Sequence, residues 1–248
     1  MDRYGLVGFP LTHSFSKKHF NEKFVAEKIN AEYVNFEIPT IKEFENIVKN
    51  NPTLKGMNVT IPYKQQVIPY LDTMDENARV IGAVNVIKVN KNKGKIQLIG
   101  HNTDIIGFKQ SLEPLLKEHH RRALILGTGG ASKAVFHGLQ QLGIDAVFVS
   151  RKAKLNELNY DDLSEKTMRE FSLIVNTSPV GMFPNSDQCP NIPYQLLDER
   201  YLLYDVVYNP EDTLFMKKGR DKGAIVKNGL DMLFLQALAA WKIWHKDT

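Results

Sequence analysis

The feature that most constrains this 248-residue chain lies at its midpoint, where the apolar run Ala123-Leu124-Ile125-Leu126 ends in Gly127-Thr128-Gly129-Gly130-Ala131-Ser132. A segment of helical period follows through Lys133, Val135, Phe136 and Leu139. A strand, a glycine turn and a helix start in that order place free backbone N–H groups where a pyrophosphate can bind, and the helix dipole favours its charge. Gly127 permits the tight turn and Gly129 a close backbone approach. Ser132 stands where a third glycine often packs helix on strand. Further strand candidates at 146–149, 173–175, 202–207 and 224–226 alternate with helical or irregular segments, which predicts a parallel sheet with right-handed crossovers. The second half of the chain therefore reads as a Rossmann-type, doubly wound nucleotide domain.

At the end of the strand after the glycines, roughly 20 residues on, a carboxylate would hold an NAD ribose 2′-hydroxyl and an Arg would accept a 2′-phosphate. Here stand Ser150, Arg151 and Lys152, which favour NADP, although a surface Arg-Lys pair is the plainer reading. The formal charge of +4, from 32 basic and 28 acidic residues, is too diffuse to imply nucleic acid and suits a small anionic ligand. The basic run from His119 to Arg122 reads as a solvated helix end. A single cysteine, Cys189, excludes an internal disulfide, and with no paired cysteines, no HExxH and no close His cluster, spacing gives metal ligation little support. No signal-like or bilayer-length apolar segment is present, so a cytoplasmic enzyme is expected.

From Tyr4 to about Gly100, strand-like runs alternate with helical segments, predicting a first α/β domain. Thr40 and Glu43 form a capping box ahead of a helix bearing Ile41, Phe44, Ile47 and Val48. Val84–Val89 and Lys95–Ile99 flank Asn92-Lys93-Gly94 as a hairpin. Asp104 caps a helix to about Leu116, and Leu230, Leu233, Phe234, Ala237, Leu238, Trp241 and Trp244 define the apolar face of a final helix. Asn58 and Thr60 share one face of a strand, Val59 and Ile61 the other, and Lys64 follows Pro62, beyond which a new helix is expected. Taken singly, Lys64 reads as a solvated charge, Asp104 as a helix cap, and Ser14 and Ser16 as N-caps before a helix carrying Phe20, Phe24 and Val25. Asn85, Tyr208 and Gln236 are equally ambiguous.

Together and in order, these motifs resemble the shikimate dehydrogenase family. The likeness runs through Ser14-Phe15-Ser16, Asn58 to Lys64, Gly82-Ala83-Val84-Asn85, Asn102-Thr103-Asp104 and Gly127 to Ala131. It continues through Asn176-Thr177-Ser178-Pro179-Val180-Gly181-Met182, Asp205 to Pro210, and Asn228-Gly229-Leu230 leading to Gln236. The resemblance implies reversible NADPH-dependent reduction of 3-dehydroshikimate to shikimate, a step toward chorismate and the aromatic amino acids, in a cleft between a substrate domain (1–103 with 229–248) and a nucleotide domain (104–228). It implies Lys64 and Asp104 as the catalytic pair, and Ser14, Ser16, Asn58, Thr60, Asn85, Tyr208 and Gln236 as substrate ligands. For NADP(H) it implies Gly127, Thr128, Gly129, Gly130, Ala131, Ser150, Arg151, Lys152, Asn176, Thr177, Ser178, Met182 and Gly229. Family members often carry Asn-Arg-Thr where this chain has Ser150-Arg151-Lys152, and a threonine at Val86. A quinate/shikimate dehydrogenase using either cofactor, or a catalytically silent sensor, is the alternative. The expected protein is a monomer or homodimer acting on a small molecule, with no nucleic-acid or membrane partner and no metal.

Overall fold

A computed structural model describes residues 1–11, 15–92 and 94–245. The chain divides into two compact units, Met1–Thr103 with Ala237–Thr248, and Asp104–Gln236.

The first unit is built on a six-stranded mixed sheet. Its elements are β1 (Asp2–Gly8), α1 (Phe15–Ala26), β2 (Ala31–Glu37), α2 (Phe44–Asn50), β3 (Leu54–Val59), β4 (Thr73–Met74), α3 (Glu76–Ile81), β5 (Val86–Asn92) and β6 (Lys95–His101). The strand order is β2-β1-β3-β5-β6-β4. β1 runs parallel to β2 and β3, whereas β5 is antiparallel to β3 and to β6. The expected hairpin is thus present, with Gly94 at φ +80° beside its tip, a conformation that glycine adopts without a Cβ clash. Lys93 lies outside the described residues.

Two expectations for this unit change. The segment after Pro62 is a run of turns ending in a 3-10 turn at Ile68–Tyr70, not an α-helix, and Pro69 within it removes an N–H that a longer helix would need. The Thr40 helix opens as a 3-10 turn, Ile41–Glu43, and the Thr40 hydroxyl accepts from Lys42 N–H at 3.5 Å rather than from Glu43. On α1, Phe20 and Phe24 are buried as expected, while Val25 is exposed.

Two apolar clusters cover the faces of this sheet. One gathers Val7, Phe44, Leu54, Met57, Val59, Val67 and Ile87. The other joins Tyr4, Leu6, Phe20, Phe24 and Tyr33 to Ala237, Ala240 and Trp244 of α8 (Leu230–His245). Trp244 lies over Gly56, where a Cβ would stand 2.2 Å from its Nε1, and that N–H donates to the Ile87 carbonyl at 3.1 Å.

The second unit contains α4 (Asp104–Leu112), β7 (Arg122–Leu126), α5 (Gly130–Gln141), β8 (Asp145–Val149), α6 (Glu165–Arg169), β9 (Leu173–Asn176), β10 (Leu202–Asp205), α7 (Leu214–Arg220), β11 (Ile225–Lys227) and the first turns of α8. Pro114 follows the end of α4, so its continuation to Leu115 is a 3-10 turn. All five strands are parallel, in the order β11-β10-β9-β7-β8. The order reverses between β7 and β9, and ligands of open α/β sheets bind outside the carboxyl ends of strands at such a switch point. The boundary between units falls inside α8, not at Gly229. Its first turns pack on α4 so closely that a Cβ at Gly107 would stand 2.4 Å from the Met232 carbonyl.

Candidate functional site

In the first unit the polar residues expected to bind substrate sit at the end of β3 and the start of β5. Asn58 is buried; its Oδ1 accepts from the Tyr33 hydroxyl at 2.7 Å, and its Nδ2 donates to the Asn85 carbonyl at 3.4 Å. The Asn85 carbonyl also accepts from Val59 N–H, and the Asn85 carboxamide is engaged with Thr103, accepting from its N–H at 2.7 Å and donating to its hydroxyl at 3.0 Å. Thr60 N–H donates to the Val7 carbonyl, and its methyl stands 2.5 Å from where a Cβ on Gly8 would be. Lys64 is half-buried, and its carbonyl accepts from Val84 N–H at 2.7 Å, which ties it to the Gly82–Asn85 segment. Ser16 lies in the first turn of α1. Ser14 lies outside the described residues. Asn58, Lys64 and Asn85 are therefore joined through side chains or backbone, and Tyr33, which the sequence did not single out, holds Asn58.

In the second unit the switch point carries the glycine loop. Gly127 adopts φ +106°, and Thr177 on the neighbouring strand end donates both its N–H and its hydroxyl to the Leu126 carbonyl. Gly129 is the N-cap of the twelve-residue α5, whose first turn holds no acidic side chain, and nothing lies within 4 Å of where a Cβ would stand at Gly129 or Gly130. That open, acid-free helix start fits a pyrophosphate. Ser132 replaces a glycine without loosening the turn, because its buried hydroxyl donates to the Gly129 carbonyl at 2.6 Å. Arg151 and Lys152 are exposed just beyond β8, with Lys152 N–H donating to the Ser150 hydroxyl.

The segment from Asn176 to Met182 is organised by a carboxylate that sequence reasoning assigned no role. Asp205, fully buried at the end of β10, accepts from Asn176 Nδ2 (3.0 Å), Val207 N–H (3.0 Å) and the Thr213 hydroxyl (2.7 Å). Asn176 Oδ1 in turn accepts from the Ser178 N–H and hydroxyl. Burial pushes the Asp205 carboxyl up to about 6, against the opposing pull of those three donors. The loops after β9 and β10, which carry Met182 and Tyr208, are thus clamped to one group. Gly229 completes the clamp: its N–H donates to the Val207 carbonyl, and a Cβ there would stand 2.2 Å from the Val206 carbonyl. The sequence signal was a lone carboxylate closing an apolar strand.

Asp104 is the first residue of α4 rather than the residue before it, and it is buried. Gln236 is buried on α8, donating to the Leu233 carbonyl, and its backbone N lies 3.0 Å from where a Gly107 Cβ would be. Among the described residues no group of acidic, histidine and cysteine side chains could hold a metal ion. No described helix is long and apolar enough to cross a membrane.

Residues 6–87 match the family model of the shikimate dehydrogenase substrate-binding domain. An NADP(+) shikimate dehydrogenase of Clostridium beijerinckii is 40% identical over 99% of this chain and 93% of its own length. The chain belongs to the shikimate dehydrogenase family. Among solved family members, the Thermus thermophilus enzyme in complex with NADP(H) and shikimate superposes with a TM-score of 0.85 at 28% identity, over 99% of this chain and 94% of that one. The Listeria monocytogenes enzyme in complex with shikimate and NAD does so with a TM-score of 0.88 at 27% identity, over 100% and 93%. The first unit contains the segment matched to the substrate-binding domain, and the second has the Rossmann-type fold of a shikimate dehydrogenase.

Proposed function

We propose that this protein catalyses the reversible NADPH-dependent reduction of 3-dehydroshikimate to shikimate. The observation that carries the reading is the glycine loop at the switch point, open at the α5 N-terminus and followed by a basic strand end, in a chain that matches NADP(+) shikimate dehydrogenases over nearly its whole length. Gly127 to Ala131 would hold the pyrophosphate, Arg151 and Lys152 with Ser150 the 2′-phosphate, and Asn176 to Met182 with Gly229 the nicotinamide end. The cofactor, when bound, supplies the hydride.

The protein's own task is alignment and proton supply. Ser14 and Ser16 bind the substrate carboxylate through hydroxyl donors. Asn58, Thr60, Asn85, Tyr208 and Gln236 fix the ring hydroxyls, so that the reacting carbon has one orientation. A proton must reach the carbonyl oxygen as charge develops there, and Lys64 and Asp104 together hold it: the lysine ammonium donates, and the aspartate carboxylate balances its charge. The enzyme acts in the cytoplasm, as a monomer or homodimer.

The test follows NADPH absorbance with shikimate and NADP+, with quinate and NAD+ as comparison arms. Shikimate with NADP+ should be the preferred pair; absence of turnover with it overturns the reading, and a preference for quinate reassigns the substrate. Lys64→Ala should lower kcat by about 100- to 10,000-fold, with Asp104→Asn acting in the same direction. Because the two residues serve one proton, the double variant should lose far less than the product of the single losses. Near-normal turnover in Lys64→Ala refutes the assignment.

A further inference from the structure

Tyr33 lies in β2, outside every motif of the family resemblance, and is 1% exposed. Its position is fixed from two sides. The ring stacks on Phe20 with centroids 5.0 Å apart and planes 14° from parallel. Its backbone exchanges two hydrogen bonds with the Asn21 carboxamide, Tyr33 N–H donating to Asn21 Oδ1 and Asn21 Nδ2 to the Tyr33 carbonyl, each at 2.9 Å. A hydroxyl held this firmly between α1 and the sheet has little freedom to follow its partner; the partner follows it.

That partner is Asn58. A phenol has one proton, and the 2.7 Å bond to Asn58 Oδ1 consumes it, because a carboxamide oxygen only accepts. The carboxamide orientation has an independent check: its other edge faces the Asn85 carbonyl at 3.4 Å, an acceptor that a nitrogen can meet and an oxygen would repel. With Asn58 Oδ1 committed to Tyr33, any hydrogen bond that Asn58 offers to a ligand comes from Nδ2.

We infer that Tyr33 is a positioning residue for the substrate site, fixing Asn58 as a hydrogen-bond donor to a ring hydroxyl. The inference rests on the substrate assignment proposed above. Without the phenol oxygen, the Asn58 carboxamide can turn over, presenting an acceptor edge. Substrate binding then bears the cost of ordering it.

The experiment compares full-length wild type, Tyr33→Phe, Asn58→Ala and the double variant by steady-state kinetics, with cooperative thermal melting as the check on folding. Phenylalanine keeps the stack on Phe20 and removes only the hydroxyl. Tyr33→Phe should raise the shikimate KM about tenfold, the size of one lost hydrogen bond, and leave the NADP+ KM unchanged. A purely structural role would move both constants or neither. In the Asn58→Ala background the Tyr33→Phe effect should shrink to about twofold or less, since its main route of action is gone. An unchanged shikimate KM in the folded single variant, or fully multiplicative losses in the double variant, overturns the inference. Should Tyr33→Phe melt without a cooperative transition, Asn58→Asp serves instead: it keeps an acceptor for the phenol and removes the donor edge. It should raise the shikimate KM at least about tenfold, and an unchanged KM overturns the inference. A wild type active with shikimate beside kinetically silent variants sinks the role of Tyr33 alone. A wild type inactive with shikimate sinks the function and this role together.

Discussion

Replacing Asp205 by Asn should make the pH dependence of stability differ from that of the wild type in a defined direction. The carboxyl is completely buried, and removal from water raises its pKa from the ordinary 3.8 to about 6 even though Thr213, Val207 and Asn176 all donate to it. Between about pH 6 and pH 4 the folded protein therefore binds a proton that the unfolded chain releases, so this group adds stability as pH falls through the window and withholds it above. The gap between the two pKa values corresponds to about 3 kcal/mol at roughly 1.36 kcal/mol per unit. The carboxamide of the variant keeps an oxygen for Asn176 and Val207 and does not titrate. Urea unfolding of wild type and Asp205→Asn from about pH 7.5 to pH 4 isolates the group, since the other carboxylates and histidines cancel in the difference. The wild type should gain up to about 3 kcal/mol on the variant across that range, with half the change near pH 5. A difference that stays flat, or that favours the variant as pH falls, refutes the argument that burial dominates the site.

Arg151→Ala should raise the NADP+ KM by about tenfold or more while changing the NAD+ KM little, because a guanidinium binds a 2′-phosphate through charge-assisted hydrogen bonds. Equal losses for the two cofactors, measured by initial rates, would return Arg151 to a structural role. Gly107→Ala places a methyl 2.4 Å from the Met232 carbonyl and 3.0 Å from the Gln236 nitrogen, so α4 and α8 must separate. Overpacking of this kind costs about 1 to 3 kcal/mol, and an unchanged denaturation midpoint would refute the close crossing of the two helices.

The sequence by itself determined the elements whose signals are local. The apolar run to Leu126, the glycines after it and the helical period from Lys133 need no distant partner to be recognised, because strand pleat, left-handed glycine and helix dipole all act within a few residues. The five parallel strands of the second unit and the β5–β6 hairpin were legible for the same reason, but the buried face of α8 was not: Phe234 and Leu238 are exposed, whereas Met232 and Ala240 are buried beside Ala237 and Trp244. Tertiary structure decided what depends on segments far apart. The placement of β7 between β8 and β9 makes the glycine loop a switch point, and no local pattern carries strand order. The division of α8 between units follows from the packing of Gly107 on Met232, and the turns after Pro62 replace a helix that its spacing alone allowed. Tyr33 and Asp205 read as an ordinary strand aromatic and a strand-ending acid until folding brings Asn58, 25 positions away, to the first and Asn176, 29 away, to the second. A hydrogen-bond proton has one destination, and which acceptor receives it is fixed only when the chain has closed around both.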